Sequence, residues 1–151
     1  MVASESATDT ALSRDDLGFL LAKAAQRWND LLAARFAAAG HADVRPSYGS
    51  VLLPLFEQDG LRMGELARRA WLSKQTMTSM ISRLERDGLV ERRADPSDAR
   101  ASLIFLTERS RRFAPVASAT LRELEALTRR VLGPQQIVAT KDALRRLMEI
   151  E

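Results

Sequence analysis

The sequence predicts a mainly α-helical chain with one small β-hairpin. Three observations predict it. Apolar residues recur at helical spacing along both ends of the 151-residue chain. Two short helical stretches separated by a tight break occupy the middle. Directly after them, "VERRADPSDARASLIFLT" reads as two strands around a turn-rich tip of Asp95, Pro96, Ser97 and Asp98.

The first residues, "MVASESATDTALSRDD", are polar and acidic and lack the basic start and apolar stretch of a signal peptide. Residues 1–12 are expected to form a flexible arm and 13–151 a single domain of a cytoplasmic protein. A long helix over about 14–39 follows from Leu17, Leu20, Leu21, Ala24, Trp28, Leu31, Leu32 and Phe36 at helical spacing. Asp15 and Asp16 favour its N-terminus, and Gly40 ends it. Ser47 is expected to cap a second helix, "YGSVLLPLFEQD", which Pro54 should kink and Gly60 close. "MGELARRAW" is a short helix with Leu66 and Ala67 facing inward. After the break at "WLS", Ser73 caps a helix from Lys74 to Asp87, and Gly88 stops it. The hairpin comes next. From Glu108 a helix runs to about Leu132, with Pro115 expected to bend it, and "GPQQIVATKDALRRLMEIE" supplies the last helix, with Pro134 near its first turn.

Composition narrows the chemistry. There is no cysteine, which excludes disulfides, thiolate zinc sites and cysteine nucleophiles. The single histidine, His41, argues against a histidine metal site or a Ser-His triad. No Gly-rich phosphate loop, metal-ligand cluster or nucleophile–base pair is present, so neither an enzyme nor a cofactor is expected. No apolar run is long enough to span a membrane. The net charge of +3 is unevenly placed. From Arg62 to Arg112 there are twelve Lys/Arg and seven Asp/Glu, a net +5, and the remainder carries −2. A basic middle between acidic flanks suits an anionic partner, although charge alone fits a solvated face equally well.

The helix after Ser73 sharpens this reading. Met77, Ile81 and Leu84, with Met80 alongside, should face the core. The other face shows Lys74, Gln75, Thr78, Ser79, Ser82 and Arg83, which are donors, acceptors and small hydroxyls. Such a helix fits the major groove of DNA: Lys suits guanine, Gln suits adenine, Ser and Thr suit phosphates or base edges, and the amides at Ser73 can meet a phosphate. A polar helix face alone is ordinary surface. Helix, tight turn, helix and hairpin in that order make a winged helix-turn-helix lobe, about 47–107, flanked by helices at about 14–39 and 108–150. The hairpin is then the wing. Arg100 near its tip suits the negative potential of a narrow minor groove, and Asp98 can orient a nearby guanidinium.

"LARRAWLSKQTMTSMISRLERDGLVERRADPSDARASLIFLT" resembles the winged-helix core of the multiple-antibiotic-resistance regulator (MarR) family. Asp98, Arg100, Leu106 and Thr107 match the wing motif, and "LSKQTMT" and "LERDGLVER" match the recognition helix and its exit. Ser79 stands where many members carry arginine. The resemblance implies a homodimeric transcription regulator that binds a pseudo-palindromic double-stranded operator, usually a repressor released by a small molecule. A winged helix serving protein contact is the alternative. Dimerisation is expected through apolar surface at Leu17, Leu21, Trp28, Leu124, Leu127, Ile137, Leu144 and Leu147. An effector site is expected at Trp28, His41, Arg45 and Tyr48, where an aromatic beside a basic group suits an aromatic carboxylate.

Overall fold

The structure, a computed structural model, describes residues 12–151. The arm expected at residues 1–12 lies, but for Leu12, outside them. Helix α1 (Leu17–Ala38) begins at Asp16, whose carboxylate accepts the Phe19 amide at 3.2 Å. The helix ends before Gly40, whose φ of +88° gives the left-handed exit that glycine allows.

Ser47 does not cap the second helix. Pro46–Tyr48 form a 3₁₀ turn with Arg45 at its N-cap position, and α2 (Gly49–Glu57) continues from it. Pro46 accounts for the difference. Its fixed φ and missing N–H suit the first helical position, so the helical path starts one residue before Ser47. Pro54 lies inside α2, which still runs on to Glu57.

Next come β1 (Leu61–Arg62), α3 (Met63–Arg69), α4 (Lys74–Arg86), β2 (Val90–Asp95) and β3 (Asp98–Leu106). The strands form one antiparallel sheet in the order β1-β3-β2. Val90 faces Leu106 at the root of the hairpin, and the register shifts between Ala94 and Asp95 near the tip. On the other edge Leu61 pairs with Ile104 and Arg62 with Leu103. This third strand was not read from the sequence, because two residues show no alternation. Gly60, at φ +70°, leads into it, and an added Cβ there would sit 2.8 Å from the ring of Phe105. The same ring carries the Arg93 guanidinium 4.1 Å from its centroid.

Helix α5 (Glu108–Leu132) and helix α6 (Pro134–Leu147) complete the chain, with Gly133 between them. The core follows from the helical spacing. Met77, Ile81 and Leu84 of α4 are fully buried against Leu66 of α3, Val51 and Leu55 of α2 and Ile104 of β3. Phe36 of α1 and Phe113 of α5 meet edge to face at 4.9 Å and join the flanking helices to this core.

The first turn of α5 takes up the chain that leaves α4. Thr107 caps α5 by accepting the Ser110 amide at 3.3 Å, and its hydroxyl donates to the Gly88 carbonyl at 2.7 Å. The buried Ser110 hydroxyl donates to the Leu89 carbonyl, and the Arg109 guanidinium to the Asp87 carbonyl. On the other side, Asp59 accepts the Leu106 amide at 2.8 Å and pairs with Arg111 at 3.0 Å.

The expected dimerisation surface is redrawn. Leu124 and Ile137 are buried within the chain at 1% and 6% exposure, because α5 packs back on α1 and on α6. Trp28, Leu127 and Leu147 are half-buried. Leu17, Leu20 and Leu21 of α1, Val131 and Leu132 of α5, and Val138 and Leu144 of α6 remain exposed.

Thr107→Ala is expected to cost about 1–2 kcal/mol, since it removes a helix cap and leaves the Gly88 carbonyl without that partner. The check is a urea titration showing a lower midpoint at unchanged slope. Leu84→Ala, which empties a fully buried site, should cost more, about 2–5 kcal/mol.

Candidate nucleic-acid interface

Helix α4 presents its polar face to solvent because its apolar face is used up in the core. Lys74, Gln75, Thr78, Ser79, Ser82 and Arg83 are all exposed. They are not equally free. The Ser73 hydroxyl accepts the Thr76 amide at 3.1 Å and donates to the Thr76 hydroxyl at 2.9 Å, so it is committed to the cap. Thr78 and Ser82 donate back to the carbonyls of Lys74 and Thr78 at 2.8 and 3.1 Å. Ser82 also accepts from Arg92 at 3.2 Å, which ties β2 to α4. Gln75 and Ser79 have no side-chain partner among the described residues.

The ion pairs sort the basic middle. Of the twelve cations between Arg62 and Arg112, eight pair with carboxylates among the described residues. The other four are Lys74, Arg83 and Arg86 on α4 and Arg100 on the wing. On α3, Glu65 holds Arg68 at 2.6 Å and Arg69 at 2.8 Å. Hydrogen bonds from Arg68 and then Arg69 bring its carboxyl down to about 2. The charge left for an external anion is thus gathered on the second helix and the wing.

At the wing tip the acid that meets a guanidinium is Asp95, not Asp98. Asp98 does not orient a guanidinium; its carboxylate accepts the backbone N–H of Arg100 at 3.0 Å. Asp95, buried at 7% exposure, accepts the Ser97 amide at 2.9 Å and hydroxyl at 2.7 Å and pairs with Arg62 at 2.7 Å. The Ser97 bonds, followed by the charge of Arg62, lower its pKa. Arg62 lies on β1, the strand not read from the sequence, so its pairing with Asp95 was not legible.

The expected effector residues separate into two places. Trp28 and Arg45 line a cavity of about 240 Å³ between α1, α2 and α5, with Leu32, Phe36 and Phe113 as apolar walls. His41 lies outside it, its ring edge-on to Phe113 at 5.1 Å. Tyr48 also lies outside it. Its hydroxyl donates to Asp87 at 2.5 Å, and burial followed by that bond raises its pKa. A second, apolar groove of about 590 Å³ runs between α1, α5 and α6, with Leu21, Trp28, Leu132 and Leu144 among its walls.

Two residues beside the interface were missed. Trp71, in the turn between α3 and α4, is 61% exposed and holds a left-handed backbone at φ +57°, which is rare for a bulky side chain. Its signal was a large aromatic directly before the capping segment. Arg86 stands three residues after Arg83 on α4, and helical spacing marked it.

A short helix, a tight turn, an exposed second helix and an adjoining hairpin define a winged helix-turn-helix protein. The MarR family model matches residues 46–102 of the chain. The HTH-type transcriptional regulator TtmR of Methylorubrum extorquens is 40% identical over 79 residues, which cover 52% of this chain and 40% of that protein. The match therefore spans less than half of that curated relative's length. A probable transcriptional regulator from Pseudomonas aeruginosa superposes with a TM-score of 0.76 at 28% identity, over 88% of this chain and 97% of that one. The transcriptional repressor CouR, bound to a 23-mer DNA duplex, gives a TM-score of 0.74 at 25% identity, over 90% and 97%. Among the described residues no helix is long and apolar enough to cross a membrane.

The Asp95 contacts set a pH dependence. A carboxyl with a lowered folded-state pKa contributes stability above the ordinary aspartate range near pH 4 and loses it as pH falls through the lowered value. Wild type should therefore melt above Asp95→Asn at neutral pH, and the gap should narrow as pH falls below the ordinary aspartate range near pH 4. A gap that stays constant in thermal melts over that fall would contradict this role.

Proposed function

We propose that the protein is a sequence-specific, double-stranded-DNA-binding transcription regulator acting as a homodimer, and that a small molecule modulates it. The observation that carries this reading is the segregation of charge. The basic middle is neutralised by internal pairs except at Lys74, Arg83, Arg86 and Arg100, which lie on the recognition helix and the wing. Lys74, Gln75 and Ser79 face base edges or phosphates in the major groove, and Arg100 enters the neighbouring minor groove. The domain division is the winged lobe at about 47–107 between dimerisation helices. A second copy covers the exposed leucines of α1 and α6 and the groove between α1, α5 and α6. The pair presents two recognition helices to the halves of a pseudo-palindromic operator about one DNA turn apart.

The effector reading centres on the cavity lined by Trp28 and Arg45. Apolar walls with one guanidinium suit an aromatic carboxylate. Such a ligand acts only through its differential affinity for two arrangements of α1 against the winged lobe. We read the protein as a cytoplasmic regulator without enzymatic activity.

Duplexes recovered by the protein from a random pool test the DNA reading. Arg100→Ala should weaken binding without lowering the melting temperature. Gln75→Ala should change preference among the recovered sequences, at about 1–3 kcal/mol for a lost bidentate base contact. Affinity indifferent to both salt and sequence would sink the proposal.

A further inference from the structure

Three arginines line one pocket where the end of α4 meets the 3₁₀ turn. Arg45 comes from the N-cap position of that turn, and Arg83 and Arg86 come from the last turn of α4. With Tyr48 and Asp87 they line an open polar cavity of about 300 Å³. The one carboxylate there is already engaged by the Tyr48 hydroxyl at 2.5 Å. Three cations against one anion leave +2. None of the three arginines makes an ion pair among the described residues, although most arginines of the basic middle do.

Arginines at a helix C-terminus offset the helix dipole, which accounts for Arg83 and Arg86. It does not account for Arg45, which arrives from another element and adds a third like charge. Guanidinium forks match the oxygens of phosphate two at a time. The position on α4 indicates which phosphate. Gln75, Ser79, Ser82 and Arg86 follow helical spacing along one stripe. Arg86 stands eleven residues beyond Gln75, about 16 Å along the axis. The major groove is about 12 Å wide. A helix whose first turn reads bases therefore carries its last turn past the groove to the strand that walls it.

We propose that Arg45, Arg83 and Arg86 form an oxyanion clamp for a backbone phosphate beside the groove that α4 reads. This rests on the DNA-binding reading above and gives Arg83, on the polar face of α4, a phosphate rather than a base edge. Arg45 lines both this pocket and the apolar cavity, so the clamp and the proposed effector site share that side chain.

The test uses the full-length protein, a labelled duplex selected from a random pool and a scrambled duplex, with affinities followed over several salt concentrations. Arg45→Ala, Arg83→Ala and Arg86→Ala should each weaken both duplexes by the same factor. Each should flatten the dependence of log K on log salt by about 0.9. Arg45→Lys should restore the slope but only part of the affinity, since a point charge replaces a fork. Gln75→Ala, outside the clamp, should alter the ratio between the two duplexes. If it does so while the arginine variants keep wild-type slope and affinity, the clamp is wrong and the DNA reading stands. Arginine variants that change sequence preference would also overturn it, since a phosphate contact carries no base information. Calorimetry with inorganic phosphate in chloride buffer separates the sources. Phosphate binding that all three variants lose, in a protein that retains no duplex, would keep the oxyanion chemistry and overturn the DNA assignment. Binding of neither duplex nor phosphate would remove both readings.

Discussion

The aim of the recognition helix is set by three backbone carbonyls. As the chain leaves α4, the carbonyls of Asp87, Gly88 and Leu89 are taken by Arg109, Thr107 and Ser110 at the head of α5. The bond to Leu89 is buried, where an unmatched carbonyl costs of the order of 1–3 kcal/mol. Changing the angle between α4 and α5 would break several such bonds together. The recognition helix and the first turns of α5 therefore move as one piece. Tyr48, donating to the Asp87 carboxylate, extends that piece to the 3₁₀ turn. Flexure between the winged lobe and the flanking helices is left to the contacts that α1 makes with α5 and with the 3₁₀ turn, where the cavity lined by Trp28 and Arg45 lies.

The same economy governs charge. Exposed ion pairs add little to stability, typically below about 1 kcal/mol. Pairs such as Glu65 with Arg68 and Arg69 matter here for what they subtract. They remove positive potential from α3 and leave it on α4 and the wing. Contrast in potential, rather than net charge, orients an anionic partner.

Much of the fold was legible because punctuation and periodicity agreed. Ser73 and Gly88 bracket α4, the helix from Glu108 to Leu132 has the expected bounds, and Met77, Ile81 and Leu84 marked the buried stripe correctly. The misses share a cause: each depends on a partner distant in sequence. β1 is a strand only because β3 lies beside it. Asp95 rather than Asp98 takes a guanidinium because Arg62 arrives from that strand. Leu124 and Ile137 look like free apolar surface until α5 is folded back on α1 and α6. Ser47 failed for a local reason, the proline before it. The polar face of α4 was readable as a set. How far Ser73, Thr78 and Ser82 are occupied by their own helix was not, since hydroxyl partners depend on rotamers that sequence does not fix.

The two attachments of the wing have a mechanical consequence. At its root, the ring of Phe105 fills the space that a side chain at Gly60 would need and carries Arg93. Near its tip, Arg62 reaches across from β1 to Asp95 and Ser97. A hairpin tied at both ends to the strand that leads directly into α3 has no hinge of its own. Wing and helices then work as a fixed gauge: the span from Gln75 to Arg100 is built into each chain, and one copy measures one length of whatever surface it meets. In the proposed homodimer, any adjustment of stride falls to the relation between one copy and the next.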